Sequence, residues 1–320
     1  MRRLDEACDV ELHDGSDLTE DQLIARLNGK QGILSIFTSP MTRRVIEGCP
    51  SLKVIANIAV GYNNIDLAAA RERGVVVTNT PDVLTEATAN LTWALILDCT
   101  RRISEGDRLV RRGGWKGWTF DFLLGSDLAG KQLGVVGMGR IGRAVARRAL
   151  AFDMRIAHFS PSASRRGADA SSPAADANSA ERPDPLANAE SMPLDRLLAT
   201  SDIVTLHCPL TDATRHLIDQ TALARMKRSA YLINASRGPV VDEAALAWAL
   251  KNRMISGAAL DVYEREPIVY EELLTLENVV LAPHLGSSTM ETRVAMADLA
   301  ARNAIAVMSG QPPLTPVPGL

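Results

Sequence analysis

Short apolar runs recur along this chain, separated by segments whose apolar residues return every three or four positions. The runs at 32–37, 52–58, 75–78, 132–136, 154–159, 203–206, 231–234, 257–260 and 279–281 predict strands, and 9–13 reads as a further one. The segments 19–27, 43–47, 67–73, 86–102, 140–152, 194–198, 243–251 and 290–308 predict helices. Punctuation agrees: Thr85 stands where an N-cap belongs, while Gly48, Gly74 and Ser309-Gly310 follow the ends of helices. Strands alternating with helices predict an α/β protein of parallel sheets covered on both faces.

One stretch organises the rest. The strand 132–136 runs into Gly137-Met-Gly139-Arg-Ile-Gly142 and a helix begins at once. Strand, glycine turn and helix in that order are the context a dinucleotide-binding fingerprint requires. Gly137 permits the tight turn, Gly139 lets backbone approach a pyrophosphate, and Gly142 lets helix pack close to strand. The helix start adds N–H groups and a positive dipole end. About 20 residues on, an NAD enzyme usually carries a carboxylate for the ribose 2′-hydroxyl. Here the strand 154–159 ends at Ser160, with Arg165 and Arg166 beyond. A hydroxyl and two guanidiniums attract a 2′-phosphate that a carboxylate would repel, so NADPH is expected, with NADH as the alternative. The bland reading of Arg165 and Arg166 is decoration of a mobile loop. The segment 162–191, rich in Ala, Ser, Asp and Pro and without periodicity, reads as a polar surface insertion.

Composition narrows the function classes. With 320 residues and 46% hydrophobic content there is material for two cores. A net charge of −3 and scattered arginine pairs (43–44, 101–102, 111–112, 147–148) give no basic field for nucleic acid. No apolar run approaches the roughly 20 residues of a membrane span. Cys8, Cys49, Cys99 and Cys208 lack metal-ligand spacing, so no metal site is expected and a reduced cytoplasmic protein is. Two tryptophans in the glycine-rich loop Gly113-Gly-Trp-Lys-Gly-Trp118 need cover, from a partner subunit or a substrate pocket.

Beyond the fingerprint, three strands deliver Arg237, Glu266 and His284 at or just past their C-terminal ends, where open α/β sheets bind ligands. Each alone reads as a surface or loop residue. Together they suit reduction of a 2-oxo acid. Hydride addition to a ketone develops negative charge on oxygen, and an imidazolium is the side chain poised to neutralise it. A carboxylate beside it holds the useful tautomer, and an arginine grips a substrate carboxylate while polarising the adjacent carbonyl. His13, His158, His207 and His216 lack such a setting; His207, at the end of its own strand, is the nearest rival.

These motifs resemble the D-isomer-specific 2-hydroxyacid dehydrogenases over nearly the whole length. The matching stretches are AVGYNNID (59–66), TEATANLTWALIL (85–97), GGWKGW (113–118), GVVGMGRIG (134–142), HCPLT (207–211), INASRG (233–238), LDVYEREP (260–267) and APHLGSS (282–288). GGWKGW and GSSTMETRVAM look most like the glyoxylate/hydroxypyruvate and 2-ketogluconate reductase branch. The resemblance implies two doubly wound domains: a flavodoxin-like substrate domain of 1–97 plus 288–320, and an inserted Rossmann domain of 98–287. It implies Arg237, Glu266 and His284 as the catalytic set and the backbone N–H groups of Val60 and Gly61 as receivers of the substrate carboxylate. It adds Arg140, Ile141, Ser160, Cys208, Pro209, Ala235 and Asp261 as cofactor contacts, and a homodimer with the substrate between its two domains. Relatives carry a further strand and helix start ahead of the point where this sequence begins. On that basis 4–8 reads as a helix's end, a gap is expected in the first sheet, and the native N-terminus is expected upstream of Met1.

Two other readings compete. Within the fold, an NAD-linked D-lactate or phosphoglycerate enzyme is the runner-up, opposed by Ser160. From a different class, a cofactor-sensing binding protein would keep the fold without turnover and has no use for an intact Arg–Glu–His set.

Overall fold

The computed structural model describes residues 2–13, 18–160 and 184–318. Two compact units emerge: Met1–Leu84 with Ser287–Leu320, and Thr85–Gly286. The division falls at Leu84, ahead of the boundary after 97 expected from the sequence. The reason is that the helix Thr85–Arg101 packs on the helix Arg140–Ala149 and on strands of the second unit.

In the first unit, β1 (Gly32–Ser35), β2 (Val54–Asn57) and β3 (Val76–Thr78) form a parallel sheet in that order. Gly32 faces Val54 and Val54 faces Val76 in a continuous register. Alternation along β2 sorts its side chains: Ile55 joins Val45, Ile46 and Val77 on one face, while Val54 and Ala56 meet Ala300 and Ala304 of the helix Met290–Met308 on the other. Side-chain caps fix the helix starts of this unit. Thr19 and Gln22 make a reciprocal capping box, and Thr42 and Asp66 accept first-turn N–H groups of their helices. The tail returns beside β3, with Val317 N–H donating to the Val77 carbonyl at 2.9 Å and Asn79 N–H to the Thr315 carbonyl at 3.2 Å.

Two expectations for this unit fail. Residues 9–13 form no strand; Leu12 is exposed, and Glu11 anchors the segment by ion pairs to Arg26 and Lys30. The sheet has no gap either, because its three strands are contiguous and β1 is its edge. Residues 4–7 lie in a short helix, Arg2–Ala7, and Cys8 lies just past it.

The second unit holds seven strands: β4 (Gln132–Val136), β5 (Arg155–Phe159), β6 (Glu190–Ser191), β7 (Ile203–Leu206), β8 (Tyr231–Asn234), β9 (Gly257–Leu260) and β10 (Val279–Leu281). All pair in parallel, in the order β10-β9-β8-β7-β4-β5-β6. The chain runs outward one way from β4 to β6 and the other way from β7 to β10. The crevice between β4 and β7 is therefore the switch point where such sheets bind ligands. Apolar clusters cover both faces, and Trp93 locks one of them by stacking on Phe152 at 4.4 Å and donating to the Val145 carbonyl.

Several elements differ from the expectation. The helix expected over 140–152 is α-helical only to Ala149, with a tighter turn from Leu150 to Phe152. Thr85 is the first residue of its helix rather than the cap. That helix ends at Arg101 because Arg102 adopts a left-handed conformation (φ 55°), and a second helix, Ile103–Arg111, follows. The polar segment 162–191 is not featureless at its end: Asp184 accepts the Leu186 N–H and an Arg143 ion pair, and β6 adds an edge strand. Among the described residues no helix is long and apolar enough to cross a membrane.

Candidate active site

After β4 the backbone turns at Gly137 with φ 98°, a conformation side chains resist. A Cβ there would lie 2.6 Å from the Cys208 nitrogen, so the exit of β7 presses against the turn. A Cβ on Gly142 would sit 2.1 Å from the Gly137 carbonyl oxygen, so the helix start presses against it too. Gly139 differs: nothing stands within 4 Å of its added Cβ, and no side chain caps the helix that begins after it. Two crowded glycines and one open one at a bare helix start fit an arriving pyrophosphate. Arg140 is exposed and Ile141 half-buried at that start.

Ser160 lies half-buried just after β5, whose Phe159 carbonyl accepts the Gly137 N–H at 2.7 Å. Arg165 and Arg166 lie outside the described residues. Past β7, burial pushes the Cys208 thiol up to about 11, keeping it neutral beside the phosphate turn. Pro209 is exposed, its carbonyl accepting from Thr214 Oγ1, and Ala235 is half-buried after β8.

Three further loops converge beside this crevice. β8 ends in Asn234, whose side chain accepts from Ser236 N–H and Oγ and donates to the Arg237 carbonyl, fixing the Arg237 backbone. The guanidinium donates from Nη1 to the Ser236 carbonyl at 2.7 Å. Burial lowers its pKa and the Glu266 charge raises it, so an anionic partner is favoured there. Gly238 follows, and its Cβ would lie 1.8 Å from the Tyr263 carbonyl carbon. The Arg237 loop and the loop after β9 are thus in direct backbone contact.

That second loop carries Glu266. One carboxylate oxygen accepts the Tyr263 N–H at 3.0 Å, and the other lies 2.7 Å from His284 Nδ1. Burial pushes this carboxyl up, yet the hydrogen bond and charge of His284, with the Tyr263 N–H and Arg237, hold it below its ordinary value. His284 itself sits in the left-handed region (φ 55°). Asp261, expected among the cofactor contacts, accepts Leu285 N–H at 2.6 Å and Gly286 N–H at 2.9 Å from this loop. Burial pushes the Asp261 carboxyl up. The Tyr263 hydroxyl donates to the Ala282 carbonyl at 2.9 Å and ties the same two loops.

The rival histidine is disarmed. His207 bonds Thr205 Oγ1 through Nε2 at 2.8 Å, and burial pushes its pKa down to about 3. It stays neutral at working pH and its Nδ1 has no protein partner. His158, also lowered by burial, lies within β5.

In the first unit, Val60 and Gly61 occupy the loop after β2, both half-buried. Sequence reading missed the residues that brace all these loops: Asn57, Asn79, Asn234, Asp261 in its observed role, and Tyr263. Asn79, Asp261 and Tyr263 act on backbone brought close by the fold, which no local pattern marks. Gly238, inside the quoted INASRG motif, was the one signal available. Among the described residues no group of His, Cys, Asp or Glu is arranged to hold a metal ion.

Comparison with known proteins agrees with this geometry. A family model described as the NAD-binding domain of D-isomer specific 2-hydroxyacid dehydrogenases matches residues 93–286. A glyoxylate reductase of Thermofilum pendens is 45% identical over 98% of this chain and 89% of its own length, and one of Korarchaeum cryptofilum is 46% identical over 95% and 90%. Among solved structures, an NADPH-dependent glyoxylate/hydroxypyruvate reductase of Sinorhizobium meliloti in complex with NADP and malonate is 34% identical, with a TM-score of 0.83 over 99% of this chain and 92% of that one. With the fingerprint turn, the Arg–Glu–His loops and these matches in agreement, the chain belongs to the D-isomer-specific 2-hydroxyacid dehydrogenase family.

Proposed function

We propose that this protein reduces small 2-oxo acids, glyoxylate and hydroxypyruvate foremost and 2-ketogluconate as a further substrate, to D-2-hydroxy acids with NADPH as the preferred cofactor. The observation that carries the reading is the 2.7 Å contact between His284 and Glu266 beside a half-buried Arg237, all on loops past the C-terminal ends of β8, β9 and β10. The nicotinamide cofactor supplies the hydride when bound at the Gly137–Gly142 turn, with Ser160, Cys208, Pro209 and Ala235 around it.

The protein's own groups do the rest. Arg237 holds the substrate carboxylate in bidentate fashion and polarises the neighbouring carbonyl. The N–H groups of Val60 and Gly61 are assigned by their motif as carboxylate receivers. Glu266, kept anionic, fixes His284 with Nδ1–H toward itself, which assigns the other ring nitrogen, Nε2, as proton donor. As hydride reaches the carbonyl carbon, the proton on Nε2 moves to the carbonyl oxygen. The product hydroxyl forms without a free alkoxide. Asp261 holds the His284 loop.

Cofactor choice rests on Ser160 standing where a carboxylate would reject a 2′-phosphate, and the Sinorhizobium meliloti relative is NADPH-dependent. A homodimer is supported by the loop 113–124, which exposes Trp115, Trp118, Phe120 and Leu124 together. Four free cysteines suit a reducing cytoplasm. The test is a panel of 2-oxo acids with NADPH and NADH. Turnover of glyoxylate or hydroxypyruvate with a higher kcat/KM for NADPH supports the proposal, and no turnover of any 2-oxo acid with either cofactor overturns it.

A further inference from the structure

The loop after β2 has an unusual division of its peptide groups. Three successive carbonyls are anchored: Ala59 accepts the Thr80 N–H at 2.9 Å, Val60 accepts Asn79 Nδ2 at 2.8 Å, and Gly61 accepts Asn57 Nδ2 at 2.9 Å. A trans peptide points its N–H opposite to its carbonyl. The N–H groups of Val60, Gly61 and Tyr62 therefore all point away from these anchors, and none of them donates to a protein acceptor among the described residues. Such a row of N–H groups is an anion receiver.

The anchors are themselves built in. Asn57 is fully buried at the end of an apolar strand, where a polar side chain is costly unless bonded. Its carbonyl accepts from Ser35 Oγ at 3.0 Å and from Asn64 Nδ2 at 3.4 Å, leaving its amide for Gly61. Asn79 is held through its backbone carbonyl by Thr315 Oγ1 at 2.6 Å, and Thr315 by the fully buried Asn303 at 2.8 Å. The C-terminal tail thus reaches the loop through Asn303, Thr315 and Asn79.

We propose that Asn57 and Asn79 are positioning residues for the substrate carboxylate: by fixing the Val60 carbonyl Asn79 aims the Gly61 N–H, and by fixing the Gly61 carbonyl Asn57 aims the Tyr62 N–H, which adds Tyr62 to the receiving row. The inference rests on the proposed 2-oxo acid reduction. It assigns two side chains that touch no substrate a direct influence on substrate affinity.

The test uses Asn79→Asp, which preserves shape but replaces the donor with an acceptor, and Asn57→Asp as an independent second variant. At about pH 8 each raises KM for glyoxylate at least about tenfold, while kcat at saturation and the dissociation constant of NADPH stay within about twofold. Lowering the pH toward about 5 protonates the buried Asp, which then donates to the carbonyl again, so the KM ratio of variant to wild type falls back toward one. A purely structural defect has no reason to reverse in this way. Calorimetric binding of oxamate to the NADPH-loaded protein gives the same comparison without turnover. Wild-type turnover with an unshifted KM ratio, or a defect that acid does not reverse, overturns the inference alone. Absent wild-type turnover overturns the function, and the oxamate ratio then still decides the positioning role.

Discussion

Glu266 and His284 are 18 positions apart in sequence, yet Glu266 Oε2 and His284 Nδ1 lie 2.7 Å apart. Each partner is held from behind. The Tyr263 N–H occupies the other Glu266 oxygen, and Asp261 grips the two residues that follow His284. The pair is therefore set before any substrate arrives.

Replacing His284 with Gln removes the proton donor while keeping a polar side chain. We expect kcat for glyoxylate to fall by roughly 10²–10⁴-fold with the NADPH dissociation constant unchanged. Stopped-flow binding beside steady-state turnover checks this, and a loss of both together would move His284 into cofactor binding.

His207 makes stability depend on pH. Its folded pKa is about 3 against an ordinary value near 6.5, so below about pH 6.5 the unfolded chain binds a proton the folded one refuses. Stability is full above about pH 6.5 and falls toward pH 3, with a slope approaching about 1.4 kcal/mol per pH unit from this group. Glu266 has a depressed folded pKa, so its contribution is full above the ordinary carboxylate pKa and is lost as pH falls from there through the lowered folded value. Urea titrations at about pH 7 and about pH 5 should show a smaller difference for His207→Gln than for wild type.

Ser160 stands just past β5, beside the phosphate turn. Ser160→Asp places a carboxylate where a 2′-phosphate would sit. KM for NADPH should rise by about tenfold or more while KM for NADH stays level or falls. Equal effects on both cofactors would show that this position does not read the 2′ group.

Gly238 leaves no room for a side chain against Tyr263. Gly238→Ala should cost about 1–3 kcal/mol by forcing the two loops apart, visible as a lower melting temperature. Because Arg237 is the adjacent residue, KM for the 2-oxo acid should rise more than KM for NADPH. A variant with wild-type melting and KM would mean the loops yield freely.

Much of this protein was legible in its sequence, for identifiable reasons. Strands 132–136, 203–206, 231–234, 257–260 and 279–281 were placed to the residue because a parallel strand buried on both faces is an unbroken apolar run with polar or glycine ends. Gly137 and Gly142 announced themselves because only glycine tolerates those approaches, and the family motifs carried Arg237, Glu266 and His284. The segment 9–13 misled because an alternating pattern makes a strand only if a neighbour supplies a ladder, and here ion pairs hold it instead. What no local pattern carried was the bracing: Asn79 on Val60, Asn57 on Gly61, Asp261 on the His284 loop, Tyr263 on Ala282. Apart from the short-range Asn57–Gly61 bond, these join segments 19 or more residues apart, and which carbonyl or N–H a buried side chain meets depends on how the strands stack. Sequence named the groups proposed for the chemistry; packing of distant loops decided which backbone and side-chain groups brace them.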